Sequence, residues 1–378
     1  MTFLREHILI IGSDAMMMLK FHGALISDLL AAGRKITVAA PHSANAASYV
    51  EKLRSLGAHT VPLAMSRNGM NPASDFVGMV AMIRLMRRIR PDAVLVYTAK
   101  PVIYGLLAAK AAGVQRRIAL ITGLGYAFTG EAKGRRRVIH LILSNLYKFA
   151  LRYASVVLFQ NVDDQQVMQD IGLINAKTSS LVVDGCGVDT DYYSQSDVPS
   201  GPPCFLMVSR IIADKGVREF VEAAQIVRKI NPMVHFRLVG GLDSNPDAIS
   251  LGEVKSWVAQ GLISWDGQIP DVRKALAESS VFVLPSYREG LPQSTIEALA
   301  SGRAVITTDV PGCRETVING ETGFLIPPCS GAELAKACVH FINDPALASV
   351  FGEAAREVAE KRFSASRINA IVTRVIDE

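Results

Sequence analysis

The chain has 378 residues, 49% hydrophobic and 20% charged, with a net charge of +5. That length exceeds one typical core and suits two α/β domains, while the composition excludes a disordered chain. Five cysteines (Cys186, Cys204, Cys313, Cys329 and Cys338) show no CxxC or Cys/His pairing, so they read as reduced, buried thiols rather than a disulfide framework or zinc site.

The opening MTFLREHILIIGSD has too short an apolar run for a signal peptide and predicts a first buried strand. Further strands follow in chain order: KITVAAP, DAVLVYT, RRIALITG, VVLFQN and SSLVVDG, with helical patterns such as 20–32 and 73–90 between them. The stretch DTDYYSQSDVPSGPP (189–203), rich in Ser, Pro, Gly and Asp, reads as a joint. Beyond it come CFLMVSR, HFRLVGG, LISWDG, VFVLPS and AVITTD. A helix over 217–230 repeats Phe220, Ala223, Ala224, Val227 and Ile230 at helical spacing. This is the strand–helix alternation of a doubly wound parallel sheet, occurring twice. The expected domains are 1–196 and 197–360, with a terminal helix over 361–378 packing back on the first. Ligands of such sheets lie beyond the carboxyl ends of the strands, which puts a site in the cleft between two such domains.

The charge is uneven. Residues 1–195 hold 22 Lys/Arg against 13 Asp/Glu, and residues 196–378 hold 18 against 22. Residues 131–152 alone carry six Lys/Arg and one Glu. On a helix, Arg137, His140, Ser144, Lys148 and Arg152 form one stripe, and Leu141, Ile142, Leu146, Phe149 and Leu151 fill the rest. That pattern suits a helix lying on an anionic membrane surface; it also fits a core helix with one wet edge. The run KGRRR before it, and Arg84, Arg87, Arg88 and Arg90, add to the basic first half. No stretch is a membrane span, since the best candidate, 138–159, is interrupted by His140, Lys148 and Arg152. Nucleic acid is not an expected partner, because no aromatic-rich basic strand or recognition motif is present.

A dinucleotide oxidoreductase would need GxGxxG after the first strand. Here the strand runs into GSDAMMML, with one glycine, and GLGYAF (123–128) lacks the third. The second half instead offers charge at its strand ends. CFLMVSR ends in Arg210, and Lys215-Gly216 opens the next helix. The macrodipole disfavours a lysine there by a few tenths of a kcal/mol and favours a phosphate, which that lysine would neutralise. After VFVLPS, the turn YREG carries Glu289, with the Gly290 and Leu291 amides facing an anion. Pro292 takes the first helical position, and the helix stops at Ser301-Gly302. Glu297 lies just over one turn in, among Ile296, Ala298, Leu299 and Ala300. A carboxylate there needs donors, and vicinal sugar hydroxyls are natural ones.

These residues carry a resemblance. SRIIADKGVREFVEA, FRLVGG, FVLPSYREGLPQSTIEALASGRAVITTDVPGCRE and NGETGFLIPP cover most of 204–335 and resemble retaining glycosyltransferases of family 4, of the GT-B type with two Rossmann-like domains and an interdomain cleft. The resemblance implies that Glu289 contacts the transferred sugar and Glu297 the ribose of a UDP-sugar, and that Arg210 and Lys215 hold the diphosphate. It also implies a base pocket near Gly267–Pro270, including Gly267 and Ile269, and no metal or other cofactor. In the first half, YTAKPVIYGLLAAKAAGVQRRIALITGLGYAFTG is similar to members extending undecaprenyl-diphosphate-linked glycans. Many members have a histidine where this chain has Thr98-Ala99-Lys100, and a glycine pair where it has Gly12-Ser13. Only Gly12 and, as an acceptor-phosphate contact, Lys100 carry over. The expected protein is a retaining transferase on the cytoplasmic face of the membrane, moving a hexose or N-acetylhexosamine from a UDP-sugar to a polyprenyl-diphosphate-linked sugar. Its rivals are a GT-B transferase with a soluble acceptor, a UDP-sugar epimerase, and a nucleotide-sugar-binding regulator without turnover.

Overall fold

A computed structural model of the chain describes residues 6–41, 46–63, 65, 72–124, 135–175, 178–243 and 247–378. They divide into two compact units: Met1–Gly187 with Ala365–Glu378, and Val188–Ser364. The first unit contains β1 (His7–Ile11), β2 (Lys35–Ala40), β3 (His59–Pro62), β4 (Ala93–Tyr97), β5 (Arg116–Ile121), β6 (Val156–Phe159) and β7 (Ser180–Val182). All pair in parallel, in the order β3-β2-β1-β4-β5-β6-β7. The inner strands β1 and β4 are buried along their whole length, as strands covered on both faces must be. The helix Ala15–Ala31 begins where the Asp14 side chain accepts from the Met16 and Met17 amides at 2.8 and 3.3 Å, a side-chain cap.

The terminal helix Ala365–Asp377 belongs to this first unit. Arg34 donates both terminal nitrogens to Asp377, at 2.6 and 2.8 Å, and Arg116 Nε donates to the Val375 carbonyl at 2.9 Å.

The second unit contains β8 (Cys204–Val208), β9 (His235–Val239), β10 (Ser264–Trp265), β11 (Val281–Leu284), β12 (Ala304–Thr308) and β13 (Gly323–Ile326), parallel throughout, in the order β10-β9-β8-β11-β12-β13. Phe205 and Phe220 pack on Phe236 with ring centroids 5.1 and 5.2 Å away. The stretch read as a joint is strapped to this unit rather than hanging free. Fully buried Arg303 donates to the carbonyls of Ser196 at 2.7 Å and Asp197 at 3.2 Å. Arg356 donates to those of Thr190 and Tyr193, both at 2.9 Å. The unit therefore starts at Val188 and not at residue 197.

Within 131–152 the structure has a helix at Arg135–Leu151; residues 131–134 lie outside the described residues. Its apolar residues do not form one face. Tyr147, Ala150 and Leu151 are buried, while Leu141, Ile142 and Phe149 are 53%, 44% and 48% exposed. The exposed arc also carries Arg137, Lys148 and Arg152. Ser144, expected on the wet stripe, has its hydroxyl buried. The reason is packing: the helix lies against a π-helical turn at Pro101–Gly105. Among the described residues, no helix is long and apolar enough to cross a membrane. Cys329 is exposed, against the expectation of buried thiols; no cysteine is in a disulfide.

Candidate functional site

In the second sheet the strand order reverses between β8 and β11, the switch point beyond which such sheets hold ligands. The loops after these neighbouring strands are bound to each other. The Tyr287 amide and the Ser286 hydroxyl both donate to the Asp214 carbonyl, at 2.9 and 3.0 Å. Gly216 has φ +75°, and a Cβ there would lie 2.1 Å from the Pro285 carbonyl oxygen, so only glycine permits this approach. The loop after β12 joins them, because the Glu289 amide donates to the Pro311 carbonyl at 3.0 Å. Across this junction Lys215 Nζ donates to Glu289 Oε1.

The two side chains are 18% and 13% exposed. A pair that buried holds its partners firmly, because removing one leaves an uncompensated charge. Burial, reinforced by the Glu289 charge, pushes the nearby Cys313 thiol up to about 12, so it stays protonated beside the pair. Arg210 is not part of that contact. It is 54% exposed and donates to Asp243 Oδ2 at 2.9 Å, a partner that sequence reasoning missed.

Glu297 lies in the helix Gln293–Ala300, with Pro292 at its N-cap rather than in its first turn. Ile296, Ala298, Leu299 and Ala300 are fully buried, as the apolar spacing requires. Tyr193 lies near enough for the Glu297 charge to act on its phenol. Burial first, and that carboxylate second, raise the Tyr193 pKa far above its ordinary value. Leu291 is buried and Gly290 half-buried on the same turn. After β10, Gly267 has φ +70° and Ile269 packs on the core. The second unit thus holds Lys215 and Glu289 in contact, with Glu297 on the following helix.

Gly12 and Lys100 belong to the first unit, at its own switch point between β1 and β4. A Cβ on Gly12 would lie 2.1 Å from the Tyr97 hydroxyl. Thr98 has φ +67° and a buried hydroxyl without a hydrogen-bond partner, a strained conformation of the kind that clusters at functional positions. Lys100 Nζ donates to buried Asp75 at 2.6 Å. A phosphate reaching Lys100 would meet a lysine already paired. Neither Asp75 nor Tyr193 stands out in sequence: one sits in a helix start, the other in a stretch with the composition of a linker.

The chain is similar to known proteins in both sequence and fold. Residues 202–344 match the family described as Glycosyl transferases group 1, and residues 7–161 match Glycosyl transferase 4-like. The chain is 28% identical, over 79% of its length and 80% of the relative's, to the N,N'-diacetylbacillosaminyl-diphospho-undecaprenol alpha-1,3-N-acetylgalactosaminyltransferase of Campylobacter jejuni. It is 24% identical, over 72% of each chain, to the UDP-Gal:alpha-D-GlcNAc-diphosphoundecaprenol alpha-1,3-galactosyltransferase of Escherichia coli. Among solved structures, a sucrose-phosphate synthase from Thermosynechococcus elongatus superposes with a TM-score of 0.81 over 98% of both chains, at 20% identity.

Proposed function

Because this chain is a glycosyltransferase of the GT-B fold, we propose that it transfers a hexose or N-acetylhexosamine, with retention, from a UDP-sugar to a polyprenyl-diphosphate-linked sugar. The observation that carries this reading is the Lys215–Glu289 pair at the switch point of the second sheet. An ammonium has three donors and spends one on Glu289. The others serve the diphosphate, whose leaving oxygen gains charge as the sugar departs, and a fixed cation stabilises that charge most where it is held in advance. Arg210 supplies a second cation once a phosphate replaces Asp243. Glu289, oriented by Lys215, accepts from sugar hydroxyls, and Glu297 accepts from the ribose. The bond from the anomeric carbon to UDP breaks on the face where the bond to the acceptor oxygen forms. The acceptor's proton passes to the departing phosphate. With two cations on the diphosphate, no metal has a role in this scheme, and transfer is expected to persist in excess EDTA.

Both relatives are named for undecaprenyl-diphosphate-linked acceptors, and one for a UDP-sugar donor. A lipid-linked acceptor places the enzyme at a membrane surface. The exposed arc of Arg137, Lys148 and Arg152 beside Leu141, Ile142 and Phe149 fits that location, since apolar side chains enter the interface while basic ones meet anionic headgroups. Lys100 is the first unit's candidate for the acceptor phosphate. The test is a donor panel of UDP-sugars and GDP-mannose with a short-chain polyprenyl-diphosphate sugar. Product from at least one UDP-sugar and none from GDP-mannose is expected; transfer from GDP-mannose alone, or only to a soluble sugar, would overturn the reading.

A further inference from the structure

The turn that carries Glu289 is tied to the Lys215 segment by a side chain as well as by backbone. Beyond β11, the Ser286 hydroxyl and the Tyr287 amide both donate to the Asp214 carbonyl. The Tyr287 phenol donates in turn to Glu219 Oε1 at 2.7 Å. Glu219 lies in the first turn of the helix Val217–Ile230, whose N-cap is Gly216, next in the chain to Lys215. Tyr287 thus grips the segment around Lys215 from both sides, by its amide at Asp214 and by its phenol at Glu219. Two residues later the chain presents Glu289 to Lys215 Nζ. Burial, with the Glu219 carboxylate, holds the Tyr287 pKa far above its ordinary value, so the phenol keeps its proton and stays a donor.

This arrangement costs stability. Glu219 Oε2 is buried with no hydrogen-bond partner among the described residues, and an acceptor left dry is unfavourable. An apolar pair in the same two places would pack without that penalty. What the polar pair adds is geometry, because a hydrogen bond fixes both the distance and the angle between helix and turn.

We propose that Tyr287 is a positioning residue for donor binding, its bond to Glu219 setting where Glu289 stands against the transferred sugar. This rests on the reading of Glu289 as the sugar contact. With the phenol's bond gone, the backbone bonds to Asp214 and Pro311 still hold the turn, so Glu289 shifts but does not leave. UDP has no sugar to meet Glu289 and is expected to bind as before.

The experiment measures affinity for UDP and for one UDP-sugar by calorimetry, beside thermal unfolding. The UDP-sugar is whichever of UDP-glucose, UDP-galactose and UDP-N-acetylgalactosamine the parent binds most tightly. The proteins are the parent, Tyr287→Phe, Tyr287→Phe/Glu219→Leu and Glu289→Gln. Tyr287→Phe is expected to weaken UDP-sugar binding about three- to tenfold and to leave UDP binding at the parent's level. It also leaves both Glu219 oxygens dry, so its unfolding midpoint should fall. The double variant removes that carboxylate and should regain the midpoint without regaining the UDP-sugar affinity. A UDP-sugar affinity that returns with the midpoint would reduce the effect to stability and overturn the proposal. So would parental UDP-sugar binding in Tyr287→Phe with Glu289→Gln weakened, or equal losses for UDP and the UDP-sugar. Parental UDP-sugar binding in Glu289→Gln would instead sink the reading of Glu289.

Discussion

Gly12→Ala tests why a glycine follows β1. The added Cβ would lie 2.1, 2.2 and 2.7 Å from the hydroxyl oxygen, Cζ and Cε1 of Tyr97. Ordinary contact needs more than an ångström of retreat, and the ring has nowhere to go. It is 2% exposed, its hydroxyl meets Met18 Sδ at 3.4 Å, and the His22 ring sits 4.4 Å away. Overpacking in such a place costs about 3 kcal/mol, the upper end of the usual range. With a urea m-value of about 2 kcal/mol/M, the unfolding midpoint should fall by about 1.5 M. Circular dichroism is the right probe, because Trp257 and Trp265 both lie in the second unit and fluorescence alone would miss a change confined to the first. Tyr97→Leu, which removes the obstructing atoms, should make the two substitutions cost less together than their sum by about 1–3 kcal/mol. A Gly12→Ala protein with the parent's midpoint would refute the packing argument and leave Gly12 to be explained by substrate approach.

Burial holds the His22 pKa at about 4, against 6.5 when unfolded, so the unfolded chain binds an extra proton in that window and stability is lost as pH falls through it. The loss is about 2 kcal/mol between about pH 7.5 and about pH 5; His22→Leu should remove that share of the slope, and an unchanged slope in urea titrations would contradict it. Asp377→Ala strands Arg34, whose side chain is 4% exposed, and should cost about 3 kcal/mol, most of it recovered in Arg34→Met/Asp377→Leu; thermal unfolding followed by circular dichroism reads both. Changing Arg137, Lys148 and Arg152 together to glutamine should sharply lower co-sedimentation with anionic vesicles, each charge contributing about 1 kcal/mol. Binding equal to the parent's would contradict the membrane assignment.

The parallel strands of both units were legible where they are continuous apolar runs, because burial on both faces leaves no polar positions. The two strands not anticipated, β3 and β13, have four residues each and lie at sheet edges. HTVP is half-exposed and ends on a proline, so neither its length nor its pattern separates it from a loop. The helix of residues 135–151 shows the limit of periodicity. Spacing placed Ser144 with the charged residues, but which arc is covered depends on the π-helical turn it packs against. The motif around Glu289 and Glu297 was readable because turn, strand and helix signals frame it. Asp243 and Asp75 were not, since each meets its cation only by tertiary packing, and Asp243 lies in a stretch with loop composition.

The most direct test of retaining transfer is the anomeric configuration of the product. The protein is incubated with an accepted UDP-α-sugar and a short-chain polyprenyl-diphosphate sugar, and the new linkage is read by proton NMR, beside Glu289→Gln checked for UDP binding. An α linkage from the parent, and little or no product from Glu289→Gln with UDP binding intact, is the predicted result. A β linkage, or full turnover by Glu289→Gln, would contradict it.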